Sequence, residues 1–165
     1  MFDIKESQHL AEARLSRPAG RGRRSDAGRS RLPAPALAEL RAATLGMERP
    51  SVATLRRRLA DACARSGRRP PSRASLYSAF DRIDGHLYQV SELPPAVVEC
   101  LYNLAPDATL PGHQLVFYCL NYGSPAAMSF AAGLPWLDLH QARRLRGWRE
   151  RSRGLLLAVL RVREG

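Results

Sequence analysis

Arg68, Arg69 and Arg73 flank a Pro-Pro-Ser step, and Ser72, Ser75, Tyr77 and Ser78 lie within the same short run. These residue types bind anions; they do not by themselves break bonds. A guanidinium is a planar fork of donors that meets two acceptors at once, on a phosphate or on a guanine edge. Serine and tyrosine hydroxyls add single hydrogen bonds to phosphates or base edges. Arg56, Arg57, Arg58 and Arg65 precede the run and Arg82 follows it. Residues 49–73 hold eight basic side chains and one acid, Asp61. The chemistry expected here is noncovalent: fixed cations for a phosphate backbone and a smaller polar set for bases.

Bond-making chemistry has no comparable set. His9, His86, His113 and His140 stand singly, without the HExxH spacing of a zinc enzyme. Cys63, Cys100 and Cys119 make no CxxC pair, and Cys100, His113 and Cys119 lack the spacing of a ligand set. There is no GxSxG elbow, and Gly20 and Gly22 stand in an Arg-rich run, not after a strand. The acids are scattered, so a two-metal nuclease site has no ligands to assemble from. The expectation is a binding protein without catalytic residues, cofactor or metal.

Two helices must position the arginines. Ser51 can cap the first, because its hydroxyl can accept an unpaired backbone N–H of the first turn. Leu55, Leu59, Ala62 and Cys63 then recur at helical spacing. Gly67 suits a left-handed helix end, and Pro70 and Pro71 stiffen the turn. Ser72 is a second cap. Leu76, Phe80 and Ile83 form the core face of the second helix, with Arg73, Ser75, Tyr77 and Ser78 expected towards the other side. Asp84-Gly85 reads as a tight turn, and His86 to Val90 as a short strand with His86 at the surface.

The run Pro71-Ser72-Arg73-Ala74-Ser75-Leu76-Tyr77 resembles the start of recognition helices in winged helix-turn-helix regulators and in DNA-binding domains of mobile-element proteins. The likeness spans residues 50–90. It implies a mainly α fold, a winged helix-turn-helix with a short β wing, followed by a C-terminal helical bundle. In that fold the first residues of the second helix reach base edges and the preceding helix crosses the backbone. Arg68, Arg69, Ser72, Arg73, Ser75, Tyr77 and Ser78 would then read double-stranded DNA, and Arg56, Arg57, Arg58, Arg65 and Arg82 would hold phosphates or the wing side. The turn from Gly67 to Pro71 is longer than the compact three-residue turn of that pattern.

Composition agrees with an acidic partner. The chain has 165 residues, a net charge of +11 and a pI near 10.9, a balance that favours nucleic acid. Lys5 is the one lysine against 25 arginines, so the charge is almost wholly guanidinium. It lies in blocks. Residues 1–33 hold eight basic and four acidic residues, and 143–163 hold eight basic residues with Glu150. Between the blocks, residues 74–142 hold Arg82 against six acids.

Three regions are expected: a flexible Arg-rich arm over 1–33, the DNA-binding domain over 34–104, and helices packed on it over 105–165. A supporting helix runs from Pro35 to Gly46, and another from Pro94 to Tyr102. A loop covers Asn103 to Gly112. Helices then cover His113 to Tyr122, Ala126 to Ala132, Trp136 to Leu145, and Gly154 to Val162 capped by Ser152. Ser124 to Arg146 repeats the helix-turn-helix outline as a second candidate reader. Three thiols in apolar surroundings suit a reduced cytoplasmic protein at the nucleoid. No apolar run approaches a membrane span, and the first ten residues lack the apolar core of a secretory signal. Two competing expectations are a protein-interaction module, pairing with itself or another protein through the C-terminal helices, and an RNA-binding protein using the Arg-rich arm and the basic helix.

Overall fold

A computed structural model describes residues 32–164, and these are mainly helical. In chain order the elements are α1 (Ala34–Thr44), α2 (Val52–Arg65), α3 (Arg73–Phe80), β1 (Leu87–Gln89), α4 (Pro95–Val98), β2 (Thr109–Pro111), α5 (Gly112–Tyr122), α6 (Pro125–Ala132), α7 (Trp136–Ala142) and α8 (Glu150–Glu164). The Arg-rich arm, apart from Leu32 and Pro33, lies outside the described residues.

Local chemistry starts and stops the helices. Ser51, Ser72 and Ser124 each accept the backbone N–H three residues on, from Thr54, Ser75 and Ala127, which satisfies a donor with no intrahelical partner. Gly67 takes a φ of +63°, where a side chain would be strained. Its N–H bonds the carbonyl of Ala64, and the next N–H, of Arg68, bonds that of Cys63. That pair of bonds is a Schellman cap, and it turns the chain sharply away from α2.

The sheet differs from the expected hairpin. β1 pairs antiparallel with β2, with Tyr88 opposite Leu110, and β2 lies in the stretch read as a loop. Gly85 has no positive φ, which a two-residue hairpin turn of the Asp-Gly kind requires. It is small for another reason: a Cβ there would lie 2.8 Å from Asp138 Oδ1. The boundary drawn at residue 104 therefore runs through this sheet, and residues 32–164 belong to one compact unit. Smaller differences are local. α4 gives way to a 3-10 turn over Glu99–Leu101, and α7 stops at Ala142. Ser152 lies buried inside α8 and does not start it.

One apolar core joins the helices. Leu40, Leu59, Leu76, Phe80, Leu115, Leu120, Trp136, Leu139 and Leu156 are all fully buried within it. α7 runs through its middle, and every one of its seven residues is buried. Three of those are polar, and they reach back to the end of α3 and to the start of β1. Gln141 donates its amide to the carbonyls of Phe80 and Ile83, at 2.8 and 2.7 Å, and so caps the end of α3.

Asp138 is 0% exposed. Its Oδ2 accepts the Tyr88 hydroxyl at 3.2 Å and lies 3.2 Å from His86 Nδ1. Gly112 passes so close that a Cβ would fall inside the carboxyl group. Burial raises the Asp138 pKa, and His86 and Tyr88 oppose that. Burial and the nearby carboxylate raise the Tyr88 pKa. His86, expected at the surface, is thus half-buried; its Nε2 lies 3.2 Å from the carbonyl of Leu45.

His140 stacks 4.6 Å from Trp136 and meets Phe80 edge-on. Its Nε2 lies 3.3 Å from Asp81 Oδ1. Burial first, and Arg143 second, lower its pKa to about 4, although Asp81 pulls the other way. The folded chain therefore keeps this ring neutral where the unfolded chain protonates it, between the ordinary 6.5 and about 4. The stability from this residue is complete above pH 6.5 and is lost as pH falls through that window, on the order of 3 kcal/mol in all. Urea unfolding across the window should show the fall, and His140→Gln should flatten it. A variant with an unchanged acid limb would place the sensitivity in another group.

Candidate nucleic-acid interface

The first layer of arginines lies on α2. Leu55, Leu59, Ala62 and Cys63 turn inward, so the three consecutive arginines fan around the exposed side. Arg57 stands on the outermost face with Asp61, four residues on. Arg58 and Arg65, seven apart, share one flank, and Arg56 takes the other. All four are exposed, as are Arg68 and Arg69 in the connection over 66–72. Arg57 reaches only Thr54 Oγ1, at 3.5 Å.

Helix α3 divides its expected residues into two sets. Ser75, Ser78 and Arg82 follow one another at spacings of three and four on the outward side, and all are exposed. Ser72 is engaged in the cap, and its hydroxyl is 2.9 Å from that of Ser75. Tyr77 does not join them. It is half-buried, 5.8 Å from the Phe80 ring and edge-on to it, and its hydroxyl accepts a hydrogen bond from Arg49 at 2.7 Å. Arg73, one turn before Tyr77, places its guanidinium 5.9 Å from the Tyr77 ring centroid. Burial raises the Tyr77 pKa, but Arg73 and Arg49 outweigh it and leave the hydroxyl below its ordinary value. The signal was present in the spacing, since Arg73, Leu76, Tyr77 and Phe80 are an i, i+3, i+4, i+7 set. Arg49, missed as a functional position, organises this flank. A groove of about 430 Å³ opens there between Arg49, Val52, Arg73 and Arg163.

Ion pairing separates the arginines into two kinds. Arg41 pairs with Asp84 at 3.2 Å and Arg144 with Asp81 at 3.0 Å; Arg49 and Arg163 approach Glu164 and Glu48 at 3.9 Å. Arg56, Arg57, Arg58, Arg65, Arg68, Arg69, Arg73 and Arg82 make no ion pair with another described residue. The eight expected arginines thus all belong to the set whose charge no described acid counters, a set they share with arginines of the C-terminal stretch such as Arg146, Arg151, Arg153 and Arg161.

The second candidate reader fails on burial. α6 and α7 are joined by Gly133-Leu134-Pro135, but α7 has no exposed residue to enter a groove. Of the arginines after it, Arg144 is tied to Asp81 and Arg143 donates to the His140 carbonyl. Cys100 and Cys119 lie with their sulfurs 3.8 Å apart, both buried. Among the described residues no group of histidine, cysteine and acidic side chains could hold a metal ion, and no helix is long and apolar enough to cross a membrane. No protein-family model, no curated protein and no solved structure matches this chain.

The division of α3 has a measurable consequence. Tyr77→Phe removes the acceptor of the Arg49 bond and should destabilise the fold by roughly 1–3 kcal/mol. Ser78→Ala, on the outward side, should stay within about 0.5 kcal/mol. Denaturant unfolding of the two variants checks this, and equal effects would contradict the assignment of Tyr77 to the packed flank.

Proposed function

We propose that the chain binds duplex DNA through α2, the 66–72 connection and α3. The observation that carries this reading is the set of eight exposed arginines on that element, none paired with a described acid. An unpaired guanidinium keeps its charge and its donor fork for phosphate, and each phosphate neutralised releases counterions into solution. The arginines of α2 contact the backbone. Ser75, Ser78 and Arg82 face the groove from the outward side of α3, with Arg68 and Arg69 ahead of it; Arg73, on the Tyr77 side of the first turn, reaches the groove past the helix start. The β1–β2 sheet follows α3 in the chain as a wing does, which supports the winged helix-turn-helix reading, although its strands come from separated stretches. Occupancy of a DNA site is the activity this implies, as in a transcriptional regulator or an accessory protein of a mobile element.

Selection from random duplexes, followed by titration of the preferred site over a salt series, tests the proposal. Affinity should fall steeply with salt. Arg57→Ala should weaken preferred and random duplexes alike and reduce the salt slope by about one. Arg73→Ala should cost roughly 1–3 kcal/mol on the preferred site and much less on random DNA. Affinity that does not respond to salt, or tighter binding of single-stranded RNA than of duplex DNA, would overturn the reading.

A further inference from the structure

Beside the end of α3 lies a cavity of about 650 Å³, within the size range of small-molecule sites. One wall is apolar, made by Ile83, Leu87, Pro111 and Leu145. The polar wall carries Asp81, Arg82, Asp84, His113 and Arg144, with Gln141 beside them. Most of these polar groups are already engaged. Asp84 is held by Arg41 at 3.2 Å, and Asp81 by Arg144 at 3.0 Å with His140 at 3.3 Å. The Gln141 amide donates to two carbonyls of the chain. Arg82 makes no ion pair with a described residue, so its charge is not met within the lining. Asp81 Oδ1 and His113 Nδ1 have no hydrogen-bond partner, but both atoms are buried away from the opening.

The unmet charge and the apolar lining define the ligand. One uncompensated cation asks for one anionic charge, and a guanidinium matches a carboxylate through two parallel bonds. The apolar lining asks for a hydrocarbon body. We infer that this cavity binds a small monocarboxylic acid with an aliphatic or aromatic body, its carboxylate on Arg82. The inference does not require DNA binding, because it rests on the cavity and its lining; Arg82 is shared with the proposed DNA surface, so a bound acid and DNA would compete for it.

Thermal unfolding of the full chain without DNA, followed by calorimetric titration, tests it with benzoate and hexanoate as probes. Benzamide and hexanamide keep the body and remove the charge; acetate keeps the charge and removes the body. Benzoate or hexanoate should raise the melting temperature by several degrees in a saturable way, because a ligand bound only by the folded state stabilises it. The amides and acetate should not. Arg82→Gln should lose the response, as should Leu145→Trp, which fills the cavity; each is read against its own unliganded transition. If Leu145→Trp fails to fold, Leu87→Trp replaces it, since Leu87 is 71% exposed at the rim. No saturable response to either acid at millimolar concentration, an equal response to the amides, or a response that survives Arg82→Gln would overturn the site.

Discussion

The Asp138 carboxylate is the constraint on which the architecture depends. A carboxyl group removed from water is costly unless hydrogen bonds or opposite charge meet it. Here Oδ2 is met by Tyr88 of β1 and by His86 just before the strand, while two glycines let backbone pass against the carboxyl group. The arrangement locks the sheet to α7. Once α7 is fixed, Gln141 meets the end of α3 and His140 meets Asp81. The orientation of the basic helix pair therefore derives from a helix that never reaches the surface.

Arginine plays two physical roles in this chain. Some of its guanidiniums act as staples. Arg163 donates to the carbonyls of Met47 and Ala132, and Arg149 to that of Asn121, so each closes a distant pair of segments. The eight of the α2–α3 stretch have no acid partner and repel one another, a cost that salt screens and that a polyanion would remove. The core under them supplies the stability that tolerates this repulsion: Leu55, Leu59, Leu76 and Phe80 are each at most 2% exposed.

Features set by neighbouring residues were legible in the sequence. Ser51 and Ser72 as caps, Gly67 as a left-handed stop, and the inward stripe of α2 all follow from local hydrogen bonding and period. The exposed arginines followed from the same stripe. What depended on distant partners was not legible. β2 is three residues long, with no pattern of its own, and it exists because Leu110 faces Tyr88. α7 reads as amphipathic, because Asp138, His140 and Gln141 look like solvent positions; their burial is explained only by partners fifty or more residues away. Tyr77 is the intermediate case. Its place in the packed stripe was in the spacing, but its hydroxyl suggested exposure until Arg49 supplied the partner.

The bond from Gln141 to Ile83 spans 58 residues of chain. During synthesis at about 5–20 residues per second, that separation is a delay of several seconds. For that interval α3 has left the peptidyl-transferase centre with its last carbonyls uncapped, and Asp81 waits for both His140 and Arg144. The local caps at Ser72 and Gly67 and the packing of α1 on α2 are then what holds the arginine-bearing helices in order. A nascent chain in this state carries its uncompensated arginines on helices that α7 does not yet support.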